Sequence, residues 1–181
     1  MRASLGCAAA LVFTAGLLSA QSPQPKSPAA TETQTIGGKT ITISYCSPRV
    51  NGRAGKLFGK DGRIGQDPTY PVWRAGANAA TKLHTDADLE IGNLTVPKGD
   101  YTLYVDLENP AAWQLIVNKQ TGQWGLTYNK EQDLGRVPMA MSKPPALVEN
   151  LKYTITDRGG NQATLTLEWE NVSASVPITI K

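Results

Sequence analysis

Arg49, Arg53, Trp73, Arg74, Asn78 and His84 are the densest set of side chains able to do chemistry in this sequence. Arg49 and Arg53 flank a turn begun by Pro48, and Arg74 directly follows Trp73. A guanidinium is a rigid fork of donors that meets a carboxylate or phosphate with two hydrogen bonds. An indole offers a flat face to a sugar ring or to another guanidinium. The combination points to a surface that binds an anion or a carbohydrate. The same residues also suit a structural role, in which Arg49 and Arg74 tie long loops to the domain through carboxylates or backbone carbonyls. Trp113, Trp124 and Trp169 read as core or turn-packing residues. Trp124, between Gln123 and Gly125, is expected to be the most exposed of them.

His84 is the sole histidine, so a His-rich metal centre is excluded by count. Cys46, His84 and a carboxylate remain a conceivable metal set, and Cys46 with His84 a conceivable nucleophile and base. Either requires their two strands to meet. Asp86, Asp88 and Glu90 alternate along the chain, as do Asp106 and Glu108. Such pairs suit glycosidase chemistry only across a cleft of defined width, and solvated strand positions account for them equally well. The sequence has no Ser-centred nucleophile elbow, no HExxH and no phosphate loop. No catalytic residue, metal or cofactor is therefore expected.

The elements that must position these residues are strands. Ile41, Ile43 and Tyr45 alternate with Thr40, Thr42 and Ser44; Tyr101, Leu103, Val105 and Leu107 alternate with Thr102, Tyr104, Asp106 and Glu108. Alternation with a period of two marks a half-buried strand. The nearly unbroken apolar run from Trp113 to Val117 marks a central strand. Ala163, Leu165, Leu167 and Trp169 follow the turn at Asp157–Gly160, and Val176, Ile178 and Ile180 make the last strand. Gly92-Asn93 and Pro97–Asp100 are turn signals. Arg49 to Gly65 reads as a Gly-rich excursion pinned to the core by Phe58. No convincing amphipathic helix is present, and Lys130–Arg136 supplies at most one turn. This predicts an all-β antiparallel sandwich of about eight to ten strands. Its expected core is Ile41, Ile43, Leu103, Val105, Leu115, Val117, Leu165, Leu167 and Trp169. A lipocalin-like β-barrel is the second choice.

The chain opens differently. Arg2, an apolar stretch from Leu5 to Leu18 and the small residues Ser19 and Ala20 have the pattern of a secretory signal peptide cut after Ala20. Removing residues 1–20 from the 181 leaves 161, with Cys46 as the only thiol. Residues 21–35, rich in Pro, Ser, Gln, Thr and Ala, read as a flexible leader, and 36–181 as one domain. The expected product is soluble and exported, to the periplasm or outside the cell, with no later transmembrane span. A formal charge of only +3 gives nucleic-acid binding no support.

Four segments carry a family resemblance: Tyr45–Arg53 (YCSPRVNGR), Tyr70–Asn78 (YPVWRAGAN), Pro97–Leu103 (PKGDYTL) and Asn118–Gly125 (NKQTGQWG). In this order they resemble DUF2911, an exported bacterial family of unknown function, from about Gln34 to the C-terminus. Cys46 departs from the pattern, where a small or acidic residue is expected. The resemblance implies export and a single β-rich domain, and it implies no activity. The residues themselves favour a non-catalytic module that binds a carbohydrate, a peptide or an anionic envelope component. A structural or protein-interaction module is the alternative, and a hydrolase ranks third.

Overall fold

The computed structural model describes residues 26–181, and the signal-peptide segment lies outside them. The described residues form thirteen strands: β1 Ala29–Ile36, β2 Lys39–Cys46, β3 Val72–Trp73, β4 Thr81–Thr85, β5 Leu89–Ile91, β6 Leu94–Val96, β7 Gly99–Asp106, β8 Gln114–Asn118, β9 Asp133–Pro138, β10 Ala140–Ser142, β11 Val148–Gly159, β12 Gln162–Glu170 and β13 Val172–Ile180. Among the described residues there is no α-helix, only single 3-10 turns at Ile64–Gln66 and Lys130–Gln132. No helix there is long and apolar enough to cross a membrane.

One antiparallel sheet has the order β1-β2-β4-β7-β8-β9, with β3 paired to β7. The other has the order β11-β12-β13-β5-β6, with β10 paired to β13. The two sheets make the sandwich that the alternation predicts; they do not close into a barrel. The chain changes sheets within two residues, because β9 pairs β8 while β10, after Met139, pairs β13. The count exceeds the expected eight to ten because β3, β5, β6 and β10 have only two or three residues each, too few to establish a periodicity.

All nine predicted core residues are buried between the sheets. The central strands β7 and β8 are buried on both faces. On the outer face, Tyr104 and Ile116 form a second small core with Val72 and Ala80, packed by Tyr128. Burying each large apolar side chain contributes about 1.5–3 kcal/mol, so the inner layer dominates the stability of the fold.

The first strand begins earlier than the sequence indicates. Residues 29–35 belong to β1, which pairs with β2 along its whole length, from Ala29↔Cys46 to Ile36↔Lys39. The reason is physical. Only Ile36 of β1 is buried, so ladder hydrogen bonds hold this edge strand and no hydrophobic pattern announces it. The Glu32 carboxylate also accepts the backbone N–H of Ile155 at 2.9 Å, joining β1 to β11 across the side of the sandwich.

Candidate functional site

At one end of the sandwich, Ser47–Asn51, immediately after β2, is laced to the start of β11. Ser47 Oγ donates to the Leu151 carbonyl at 2.6 Å, and Leu151 N–H donates to the Pro48 carbonyl at 3.0 Å. Val50 N–H donates to the Glu149 carbonyl, and Asn51 N–H to the Glu149 carboxylate, both at 2.8 Å. Asn51 and Gly52 then turn the chain with positive φ, a conformation that Asn tolerates and Gly adopts freely. Arg53 folds back on this turn, Nε donating to the Val50 carbonyl and Nη2 to the Arg49 carbonyl. The excursion that follows is anchored by Phe58, packed edge-on against Trp73 and Trp169 with centroids 5.7 Å from each. Trp73 of the first sheet and Trp169 of the second stack at 5.8 Å and 16°.

Arg74 leaves this aromatic cluster and is fixed by three neighbours. Its Nη2 pairs with Asp67 Oδ2 at 3.0 Å, with side-chain exposures of 12% and 9%. Its Nη1 approaches the Asn78 carbonyl at 3.4 Å. Gly125 packs against its aliphatic stem so closely that a Cβ there would lie 2.3 Å from Arg74 Cδ. Ala75 has φ +49°, costly for a residue with a Cβ. Its carbonyl is held by Thr81 Oγ1 at 3.1 Å from one sheet and Tyr153 OH at 2.9 Å from the other. Burial raises the Tyr153 phenol above its ordinary pKa, so it remains a donor. Asn78 closes the turn at φ +59°, and its carbonyl accepts Gly125 N–H at 3.1 Å.

These loops surround a cleft of about 800 Å³. Arg49, Arg53, Trp73, Arg74 and Asn78 all line it, and His84 does not. Sequence reading missed Lys26, Arg63, Asp67 and Trp169 as further lining residues. Arg63 and Asp67, four apart, form an ion pair at 3.2 Å; that spacing was the one available hint. Five basic residues thus face a single carboxylate, Asp67. The loop-tying role falls to Arg53 and Arg74, whereas the exposed Arg49 side chain makes no hydrogen bond or ion pair among the described residues. Two buried donors of lining residues, Arg74 Nε and Trp169 Nε1, have no hydrogen-bond partner among the described residues.

Two expectations need correction. Trp73 is not a stacking platform for a ligand: it is 2% exposed, with Trp169 against one face. Trp124, by contrast, is 55% exposed and lines the same cleft. His84 stands on the outward face of β4, opposite Thr42, hydrogen-bonded to Asp100 at 2.8 Å and Asp86 at 3.1 Å. These two acceptors raise its pKa above the ordinary histidine value. Cys46 is a half-buried free thiol four residues along β2 from Thr42. At about 3.3 Å per residue this sets it about 13 Å from His84 along the ladder, too far for a nucleophile and its base. Of the other alternating carboxylates, Asp88 is engaged with Lys98 N–H, Glu90 with Lys181 and Asp106 with Arg136. Among the described residues no three His, Cys, Asp or Glu side chains are grouped to hold a metal ion.

Three of the four segments that carried the resemblance meet at this cleft; the fourth, Pro97–Leu103, turns into β7, where the Pro97 carbonyl accepts Tyr101 OH. Neither the curated proteins nor the solved structures include a match to the chain. The family described as "Protein of unknown function (DUF2911)" matches residues 27–178, nearly the whole described chain, and the protein belongs to that family.

Proposed function

We propose that this protein is an exported, non-catalytic binding module whose cleft captures an anionic ligand: an acidic carbohydrate, an acidic peptide or another anionic envelope component. One observation carries the reading, the gathering of Lys26, Arg49, Arg53, Arg63 and Arg74 around a cleft whose only acidic lining residue among the described residues is Asp67. Within it the Asp67 carboxylate is shared by Arg74 and Arg63, and Arg53 serves its own turn. The exposed Arg49 guanidinium is left for an incoming oxyanion. Walls of low polarisability strengthen such contacts relative to open water. Export rests on the signal-peptide pattern of residues 1–20.

Titration calorimetry with inorganic phosphate tests the reading. Binding is expected to weaken as salt rises, since exposed charges are screened. Arg49→Ala, at an exposed position, is expected to keep the fold and to lower affinity by about tenfold or more, as for loss of a charged hydrogen-bond pair. Phosphate affinity that is absent, or indifferent to Arg49→Ala, would overturn it.

A further inference from the structure

We infer that the anion bound in this cleft is carried on a sugar ring, so that the ligand class is an acidic saccharide whose ring stacks on Trp124. This rests on the anion-binding reading and goes beyond it. Trp124 is one of two exposed large hydrophobic residues among the described residues, the other being Leu147. A lone exposed apolar residue needs no explanation, but this indole lines the basic cleft and its backbone is fixed on both sides. Ala79 and Trp124 form a bridge, with Ala80 N–H reaching the Gln123 carbonyl at 3.4 Å and Gly125 N–H the Asn78 carbonyl at 3.1 Å. Thr127 N–H closes a turn on the Trp124 carbonyl at 2.8 Å. The neighbouring Gln123 side chain donates to Tyr104 OH at 2.9 Å and to Thr102 Oγ1 and the Gln120 carbonyl at 3.2 Å.

An aromatic ring presented on a fixed backbone loses little freedom on binding, and its flat apolar face contributes most when a flat apolar surface covers it. A bare oxyanion has no such surface. The C–H face of a pyranose does, and its rim of hydroxyls supplies acceptors. Arg74 and Trp169, whose Nε and Nε1 donors have no partner among the described residues, both line the cleft. A volume of about 800 Å³ also exceeds what a simple oxyanion fills and lies in the range of small-molecule sites. Carboxylate and phosphate are equivalent to a guanidinium fork, so the shared chemistry is an oxyanion on a sugar.

The test compares five probes on the chain lacking residues 1–20, by calorimetry and tryptophan fluorescence: trigalacturonate, glucose 6-phosphate, neutral maltotriose, inorganic phosphate and tetraglutamate. At least one acidic saccharide is expected to bind tenfold or more tighter than both phosphate and maltotriose. The two acidic arms separate the carboxylate from the phosphate source. Trp124→Ala is expected to erase the advantage and Trp124→Tyr to restore part of it, with thermal unfolding checking that each variant folds. Acidic saccharides that bind no better than phosphate, an advantage that survives Trp124→Ala, or tighter binding of tetraglutamate would overturn the inference. In those cases Arg49-dependent phosphate binding would leave the anion-binding reading intact, whereas failure of phosphate to bind would remove both.

Discussion

Gly125 has no side chain, and the stem of Arg74 occupies the space one would take. Gly125→Ala is therefore expected to push Arg74 off Asp67. Such overpacking costs about 1–3 kcal/mol, which in a domain of this size lowers Tm by a few degrees per kcal/mol. Anion affinity should fall with it, because the displaced guanidinium leaves the cleft geometry open. A thermal melt and a phosphate titration check both effects, and an unchanged Tm would show that the loop yields without strain. At this scale the sequence was readable in part. Arg49, Arg53, Arg74 and Asn78 were singled out from type and spacing, and all four line the cleft. Trp124 is exposed as its setting between Gln123 and Gly125 indicates, whereas Trp73 is covered by Trp169, a stacking partner remote in sequence.

Ala75 shows how the elements hold the site. Its carbonyl receives Thr81 from β4 and Tyr153 from β11, so both sheets hold one strained residue in place. Tyr153→Phe and Thr81→Val should each cost about 1 kcal/mol, the usual net worth of one hydrogen bond. The double variant should cost more than their sum, because a buried carbonyl is then left unpaired. Chemical denaturation of the four proteins measures the coupling, and simple additivity would mean that the two donors act independently. Strands such as β2, β7 and β12 were legible because each presents one apolar face to the core. β1 was not, since it has a single buried side chain and is held by backbone bonds to β2. The pairing of Ser47–Asn51 with Glu149–Leu151 was not legible either, because those partners are about a hundred residues apart.

For the molecule as a whole, the one histidine sets a pH dependence outside the cleft. Asp100 and Asp86 hydrogen-bond His84 and raise its folded-state pKa above 6.5. Protonation thus favours the folded state. The contribution is complete below the unfolded value of about 6.5 and disappears as pH rises through the higher folded value. Melting curves from about pH 6 to about pH 9 should show the wild type losing its advantage over His84→Gln as pH rises. An advantage that stays constant, or grows with pH, would contradict the assignment. The pair is exposed on the outer face of β4, so the effect should be modest and should diminish in high salt.

By itself the sequence determined an antiparallel β-sandwich, its core residues and the small number of side chains available for catalysis. Those properties follow from local periodicity, turn chemistry and residue counts. Only the tertiary structure decided that Lys26, Arg49, Arg53, Arg63 and Arg74 share a cleft with Asp67, and that His84 and Cys46 stand apart. The reason is that a cleft is defined by contacts between loops of different strands. Whether Arg74 meets Asp67, or Tyr153 meets Ala75, depends on sheet packing and register, which no local pattern encodes.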